Sequence, residues 1–293
     1  MENTEQIPNL PDGSVLYVSA TVHPDHPMHA TFRKYIDPAP DIDFGRILKT
    51  VGPSIRRYFV NHIFDGTSEP LPEDLSGYRG LVVGCSLHYT NPEREEIAPW
   101  QHNIMNLIRR TVFEYDLPFL GLCGGGQLGL TALGGKVGPN PKGAGLEPEK
   151  VGSLVLRTTT VELTPEGKAD PLFEGCPGQC EMVAIHSDHL MEYPEGFRVL
   201  GNSPDVPNQV LAYGENVRLF AVHPEMSSEF VQRFADPMIA AGGLGPYRKS
   251  VLENAVANLR PTPDANRRIL RNFLANFCSK QQKKETLAET ARI

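Results

Sequence analysis

The sequence has few cysteines, no dense basic segment and no long apolar run, and each of these absences excludes a class of protein. Five cysteines in 293 residues are too few and too scattered for a disulfide framework, which predicts a reducing compartment. These are Cys85, Cys123, Cys176, Cys180 and Cys278. No apolar stretch reaches the roughly 18 residues that a membrane-spanning helix needs, so we expect no membrane partner.

The charge balance argues against a nucleic-acid partner. The chain carries 28 Lys and Arg against 35 Asp and Glu, a net charge of -7, without a long basic cluster. Residues 1–13 form a polar, acidic leader that lacks the basic and apolar regions of a secretory signal. These features predict a cytoplasmic protein.

The most informative stretch runs from Pro118 to Leu133. An apolar run ends at Cys123, three glycines follow, and leucines then recur at helical spacing. This pattern predicts a strand, a sharp turn and a helix, with Cys123 at the corner. A nucleophile on such a turn projects outward, and the positive end of a helix favours a thiolate there. A small buried cysteine at an ordinary turn is the alternative.

The first half of the chain predicts strands alternating with helices. Strands are expected at 15–20, 57–64, 80–84 and 118–122, and helices at 42–51 and from Asn91 to about Glu114. This alternation favours an α/β fold with a doubly wound, mostly parallel sheet.

The second half predicts an antiparallel extension of that sheet, followed by helices. Strands are expected at 154–163, 180–185, 209–212 and 217–222, and a last helix at 265–277. We therefore predict one domain over residues 14–278 and a polar tail over 279–293. Within this domain, residues 226–262 form an atypical C-terminal elaboration. Residues 230–258 of this elaboration are interpreted as a lid, a homodimer contact or plain surface, and the sequence does not decide between these.

Two groups of potential metal ligands occur, and neither has a convincing pattern. Cys176 and Cys180 precede His186 and His189, but the intervening loop is shorter than in ordinary zinc motifs. His23, His26 and His29 lie in a proline-broken loop, where their spacing lacks a helical face and no nearby carboxylate set completes a metal site, so substrate contact is the better interpretation. We predict no metal and no cofactor.

A cysteine nucleophile needs a base and a group that orients the base. His223 and Glu225 follow the strand at 217–222, and their spacing places both on one side of an extended chain. The combination with the Cys123 corner predicts a Cys123-His223-Glu225 triad.

These segments resemble the class I glutamine amidotransferase family, particularly free-standing proteins similar to the amidotransferase domain of GMP synthase. The family elbow G-x-C-x-G-x-Q is present at residues 121–127, and its H-P-E end at 223–225. Family segments 133–135, 164–173, 186–188 and 193–197 follow in the expected order.

The resemblance implies a flavodoxin-like fold and a site in which Cys123 attacks the γ-carboxamide carbon of glutamine or of a larger γ-glutamyl compound. His223 would transfer protons, Glu225 would orient its ring, and a γ-glutamyl thioester would form. The oxyanion would be bound by the N–H of Gly124 and by an N–H from the turn formed by Gly84, Cys85 and Ser86. The glutamyl group would be bordered by residues Gln127, His186 and Ser187.

Three positions carry smaller residues than the family pattern. They are Gly124, Gly126 and Val222. Compensating repacking would explain them, and so would a pocket widened for a γ-glutamyl compound larger than glutamine.

Three functions stay open at this stage. The first is a stand-alone γ-glutamyl hydrolase or transferase, and the second is a glutaminase subunit that delivers ammonia to a separate synthase partner. The third is a catalytically silent binding module, which the complete triad disfavours.

Overall fold

The computed structural model describes residues 14–20, 62–67, 70–228, 231–232, 246–261 and 263–278. Several predictions fall outside these residues: the leader, the tail, the helix at 42–51, most of the strand at 57–64, and the three histidines His23, His26 and His29. The predicted domain limits stay predictions. Among the described residues, no helix has the length and apolar character required to cross a bilayer.

Nine strands of the described residues form one sheet in the order β2-β1-β3-β4-β11-β10-β9-β6-β7. They are β1 Ser14–Ser19, β2 His62–Asp65, β3 Tyr78–Val83, β4 Phe119–Leu122, β6 Val155–Leu163, β7 Gln179–His186, β9 Phe197–Asn202, β10 Val210–Tyr213 and β11 Val217–Phe220. The first five strands in this order run parallel, and each later neighbour pairs antiparallel. The predicted α/β class with an antiparallel extension is confirmed.

Most residues of β3, β4 and β11 are apolar because both faces of the sheet are covered. Leu120 and Leu122 of β4 point into one core cluster, which also contains Phe220, whereas Phe119 points into the cluster on the opposite face. The opposite cluster also contains Ile104 of the helix α1, Pro99–Arg109, which continues as one wide turn over Arg110–Glu114. This burial on both faces fixes β4 in the middle of the sheet.

The helix α1 begins at Pro99 and not at Asn91, so the predicted start was wrong. Residues 91–98 form turns in which the Asn91 carbonyl accepts hydrogen bonds from the N–H groups of Arg94 and Glu95. A proline inside a helix removes a backbone donor and collides with the preceding turn, whereas proline suits a first helical position. Gln101 then accepts a hydrogen bond from the Ala98 N–H at 2.8 Å and caps the helix.

The prediction missed strand β9 and two further strands. β5, Lys136–Pro139, and β8, Asp188–Glu192, pair antiparallel in a separate two-stranded sheet. These strands are short, and β5 contains glycine and proline, so it lacks the alternating pattern on which strand prediction depends. The small sheet matters because β8 begins directly beyond His186 and Ser187.

Further helices follow α1 in the part of the chain that the structure describes. They are α2 Gly124–Ala132, α3 Pro165–Ala169, α4 Pro246–Ala257 and α5 Pro263–Asn272. The last helix was predicted, and it continues as a wide turn over Phe273–Cys278. Asn272 donates hydrogen bonds to the carbonyls of Leu172 and Glu174, both at 2.9 Å, and so holds α5 against the turn at 171–174.

A buried ion pair joins β11 to that turn. The Arg218 guanidinium donates to both carboxylate oxygens of Asp170, from Nε at 3.0 Å and from Nη2 at 2.7 Å. Both side chains are 1% exposed, and the Arg218 guanidinium lies 4.8 Å from the ring centroid of Phe277. Asp170 Oδ1 also accepts a hydrogen bond from the Leu172 N–H. This pair supports β11, the strand that leads to His223.

Replacement of Asp170 by Asn is expected to lower the free energy of unfolding by about 3–5 kcal/mol, because it leaves the Arg218 charge buried without its partner. Asp205→Asn is the matched control, since Asp205 pairs with Arg157 at a half-exposed site at 2.6 Å. That change should cost less than about 1 kcal/mol. Urea unfolding of both variants measures the difference, and equal losses would show that burial of the Asp170 pair contributes nothing.

Candidate active site

Cys123 occupies the corner between β4 and α2, as predicted. Its backbone has φ 50° and ψ -106°, a conformation that is strained for a residue with a side chain. The Cys123 N–H donates to the Phe220 carbonyl at 2.9 Å, and its carbonyl accepts the Gln127 N–H at 2.9 Å, the first hydrogen bond of α2. These bonds hold the strained corner in place.

The three glycines after Cys123 allow α2 to pack directly on neighbouring backbone. A Cβ atom at Gly124 would overlap the backbone of Ser86, and one at Gly125 would overlap the Val83 carbonyl. A Cβ at Gly126 would overlap the Phe220 carbonyl. The helix therefore starts in contact with the ends of β3 and β11.

These contacts favour repacking over a widened pocket as the explanation for the small residues. The space beside Gly124 is filled by Ser86, and that beside Gly126 by Phe220. Val222 is fully buried and belongs to the main core cluster. None of the three positions supports a pocket enlarged for a bigger substrate.

His223 and Glu225 form a buried pair after the end of β11. Nδ1 of His223 lies 2.7 Å from Oε1 of Glu225, and the two side chains are 2% and 5% exposed. The His223 N–H donates to the Val183 carbonyl of β7 at 2.8 Å, so the curled antiparallel extension supports the histidine from its other side. The Cys123 side chain is near enough to His223 to affect the pKa of that ring.

The electrostatic surroundings favour a protonated His223. Burial by itself lowers the pKa of His223, but the adjacent Cys123 and Glu225 side chains outweigh it and raise this pKa well above its ordinary value. In general, a protonated histidine next to a cysteine favours the thiolate form of that cysteine.

The turn after β3 contributes one available donor. The Gly84 N–H donates to the Val18 carbonyl at 3.0 Å and is already occupied, so it is not available to an oxyanion. Ser86 borders Gly124 through its backbone, and its N–H donates to no other residue that the structure describes. Cys85 lies between them and contacts an apolar cluster that includes Ile185. The Ser86 nitrogen thus lies close to Gly124, the residue that follows Cys123.

Gln127 is a connector between loops. Its Oε1 accepts a hydrogen bond from the Thr90 hydroxyl at 3.0 Å, and its Nε2 donates to the Asp188 carbonyl at 3.1 Å. The side chain is buried. Both ends of the Gln127 carboxamide therefore bind protein groups, which argues against the predicted direct contact with substrate.

His186 and Ser187 lie next to the nucleophile. Cys123 Sγ donates to the carbonyl of Ile185 at 3.5 Å, and the chain continues into His186, whose Nδ1 lies 3.2 Å from Asn140 Oδ1. Burial, with the charges of His223 and His189, lowers the pKa of His186 to about 3. His186 is therefore neutral, whereas Ser187 is partly exposed and can face a ligand.

The described residues contain no group of three or more side chains suited to hold a metal ion. Cys176 and Cys180 lie in the part of the chain that packs against α5, and burial raises their pKa values to about 11 and about 12. These thiols stay protonated and are poor ligands and poor nucleophiles.

Sequence analysis missed three residues that organise the site: Thr90, Arg94 and Asn140. Arg94 pairs with Asp188, its Nε lying 2.8 Å from Oδ1 of that carboxylate. The helix predicted from Asn91 includes Arg94 as an ordinary helical residue. Pro99 is the signal that places Arg94 in a loop before the helix, where its side chain can contact other loops. Nothing in the sequence marks Asn140.

Comparison with protein families identifies the part of the chain that contains this site. A sequence model of the family described as "Glutamine amidotransferase class-I" matches residues 90–232, which include the Cys123 corner, His223 and Glu225. Residues 90–232 belong to the class I glutamine amidotransferase family.

Curated relatives match this chain over very different shares of their own length. The chain is 31% identical over 159 residues to GMP synthase [glutamine-hydrolyzing] of Streptococcus equi, covering 52% of this chain but only 28% of that protein. It is 24% identical over 212 residues to Gamma-glutamyl peptidase 4 of Arabidopsis thaliana, covering 72% of this chain and 78% of that protein. The match to the synthase therefore spans about a quarter of its length.

Solved structures agree on the fold. A glutamine amidotransferase from Thermotoga maritima superposes with a TM-score of 0.62 at 18% identity, covering 91% of this chain and 98% of that one. A glutamine amido transferase from Methylobacillus flagellatus gives 0.61 at 18% identity, covering 90% and 93% of the two chains. At this identity, the likeness concerns the fold alone.

Glu225→Gln is expected to lower the pKa of His223, because it removes one of the two anionic groups that raise it. Titration of the His223 ring by 15N NMR in both proteins measures the shift. Glu253→Gln, on the exposed side of α4, is the control and should leave that titration unchanged. An unchanged midpoint in Glu225→Gln would mean that the carboxylate does not act on the ring.

Proposed function

We propose that this chain is a cysteine-dependent amidohydrolase that cleaves γ-glutamyl amides through a Cys123-His223-Glu225 triad. The observation that carries the proposal is the buried 2.7 Å His223–Glu225 pair beside the strained Cys123 corner. Membership of residues 90–232 in the class I glutamine amidotransferase family supports the same chemistry.

In the first half of the proposed reaction, the Cys123 thiolate attacks the γ-carbonyl carbon of the substrate. The carbonyl oxygen becomes an oxyanion and accepts hydrogen bonds from the N–H groups of Gly124 and Ser86. The N–H of Gly124 lies in the first turn of α2, where no helical acceptor exists for it. His223 then donates its proton to the leaving amine, the C–N bond breaks, and a γ-glutamyl thioester remains on Cys123.

In the second half, water attacks the thioester carbonyl. His223 takes a proton from that water, the C–S bond breaks, and the thiolate is restored as the γ-carboxylate leaves. Glu225 keeps Nδ1 of the ring occupied, so that Nε2 faces the reacting groups throughout. An amine acceptor in place of water would give transfer by the same steps.

The proposed substrate is glutamine or a larger γ-glutamyl compound. Similarity to a protein named gamma-glutamyl peptidase, over 78% of its length, favours the larger class. The glycines at 124 and 126 do not contribute to this choice, because backbone atoms fill the space beside them.

Cys123→Ala is expected to abolish turnover of glutamine and of γ-glutamyl dipeptides, since the proposed thioester forms on the Cys123 sulfur. Cys176→Ser, outside the site, should keep wild-type kcat/KM. Steady-state kinetics on both substrate types, with mass spectrometry of the trapped acyl-enzyme, provide the measurement. A γ-glutamyl adduct on the Cys123→Ala protein would refute the assignment, and a strong preference for free glutamine would exclude the larger class.

Gly124→Ala is expected to reduce kcat by about 10²-fold, the usual cost of losing one oxyanion donor, because its methyl group would push the Ser86 backbone away. Gly77→Ala is the control: a Cβ there meets nothing within 4 Å, so activity should not change. If Gly124→Ala retained full kcat, the Ser86 turn would not be part of the oxyanion site.

The second candidate is a glutaminase subunit that supplies ammonia to a separate synthase. The partial match to GMP synthase, limited to 28% of that protein, favours this candidate. Assay of the isolated chain decides between the two: glutaminase activity without any added protein supports the stand-alone enzyme, and activity that requires a co-purified partner supports the subunit.

A further inference from the structure

Residues 185–188 run beside the nucleophile, and their backbone carbonyls are all engaged. Ile185 accepts from the Cys123 thiol at 3.5 Å, and His186 from Asn140 Nδ2 at 2.8 Å. The Ser187 carbonyl accepts from the Asn140 N–H at 2.9 Å, and that of Asp188 from Gln127. We call these four residues the 185–188 segment. Its position, and hence that of the Ser187 side chain, is fixed by groups from three other parts of the chain.

Arg94 is the cationic side chain that binds the 185–188 segment. Its Nε lies 2.8 Å from Oδ1 of Asp188, a carboxylate that is only 1% exposed. Its Nη2 donates to the Ser187 carbonyl at 3.4 Å and to the Gly152 carbonyl at 3.1 Å. Its guanidinium lies over the Tyr89 ring, 5.0 Å from the centroid. One side chain therefore joins the 185–188 segment to two separate loops.

The loop that contains Gly152 is shaped around this guanidinium. Gly152 has φ +67°, and a Cβ atom there would overlap the Arg94 guanidinium. Only glycine allows the backbone both this conformation and this close approach. The contact between Arg94 and this loop therefore depends on both residue types, the arginine at position 94 and the glycine at position 152.

We infer that Arg94 is a positioning residue that sets the 185–188 segment for recognition of the glutamyl part of the substrate. The inference rests on the proposed function. Arg94 does not touch the thiol, so it acts on binding of the substrate and not on the nucleophilicity of Cys123. Lysine cannot replace it, because a single ammonium group cannot reach Asp188 and the two carbonyls in this planar arrangement.

The test compares two reagents that alkylate Cys123. A diazoketone analogue of glutamine requires recognition of the glutamyl group, whereas iodoacetamide requires only a reactive thiol. Arg94→Lys is expected to slow labelling by the diazoketone about tenfold or more, the size expected for a lost charge-assisted hydrogen bond, and to leave iodoacetamide labelling within about twofold. In steady state, KM for the γ-glutamyl substrate should rise by a similar factor while kcat changes little.

Two further variants sharpen the test. Arg157→Lys is the matched control, because Arg157 pairs with Asp205 and binds the Ala144 carbonyl but makes no hydrogen bond to the 185–188 segment. It should label like wild type with both reagents. Gly152→Ala crowds the guanidinium while Arg94 remains, and it should reproduce the selective loss of diazoketone labelling.

The outcomes separate the inference from the proposed function. Equal slowing with both reagents would overturn the positioning role, and so would the absence of any slowing in either Arg94→Lys or Gly152→Ala. In both cases an active wild-type protein would leave the proposed function intact. A wild-type protein that reacts with iodoacetamide but neither reacts with the diazoketone nor turns over any γ-glutamyl substrate would overturn both.

Discussion

The site depends on three adjacent parallel strands that end at the same edge of the sheet. β4 lies between β3 and β11, so Cys123 after β4 is flanked by the Ser86 turn on one side and by the chain leading to His223 on the other. Parallel strands share their carboxyl edge, and open α/β sheets use this edge for ligand binding. The strand order, set by burial of β4 on both faces, therefore brings together residues that are 100 positions apart in the sequence.

Close packing of α2 on the ends of β3 and β11 fixes the position of the Cys123 backbone. The glycines at the start of α2 let the helix rest on the last carbonyls of β3 and β11, and the strained Cys123 backbone is the consequence. Any side chain at Gly125 or Gly126 would lift the helix from those strands. Glycine at these positions is thus explained by contact with backbone, and the strain is held by surrounding structure that cannot relax around it.

Burial of charge imposes a second constraint. His223 and Glu225 are almost wholly removed from water, and such charges persist only when paired. A second cation next to His223 would be costly, and the pKa of His186, lowered to about 3 by burial and by the neighbouring histidines, keeps that ring neutral. The two pKa directions therefore distinguish the rings: the surroundings favour the protonated form of His223 and the neutral form of His186.

The sequence allowed prediction of the features that depend on local pattern, and those that depend on packing were missed. The Cys123 corner, the sheet class and the terminal helix follow from hydrophobic spacing and glycine placement, and the histidine and glutamate from their position after a strand. Arg94 and Asn140 act through contacts with residues 46 to 94 positions away, for which periodicity gives no indication. Likewise, Gln127 lies where the family motif predicts it, yet its carboxamide binds Thr90 and Asp188, a fact that only the surrounding loops determine.

The structure does not support a pocket widened at Gly124, Gly126 or Val222, so the features that select a substrate have to lie elsewhere around the thiol. Small residues near a nucleophile suggest a large pocket only when the space that they leave is open, and here Ser86, Phe220 and the core occupy it. Selectivity must then come from groups that border the thiol and can face a ligand. Ile185 and Ser187 are partly exposed and meet this condition, whereas His186 between them is buried. Because Arg94, Asn140 and Gln127 bind the backbone carbonyls of this segment and the side chains of His186 and Asp188, the Ile185 and Ser187 side chains can differ without loss of these contacts.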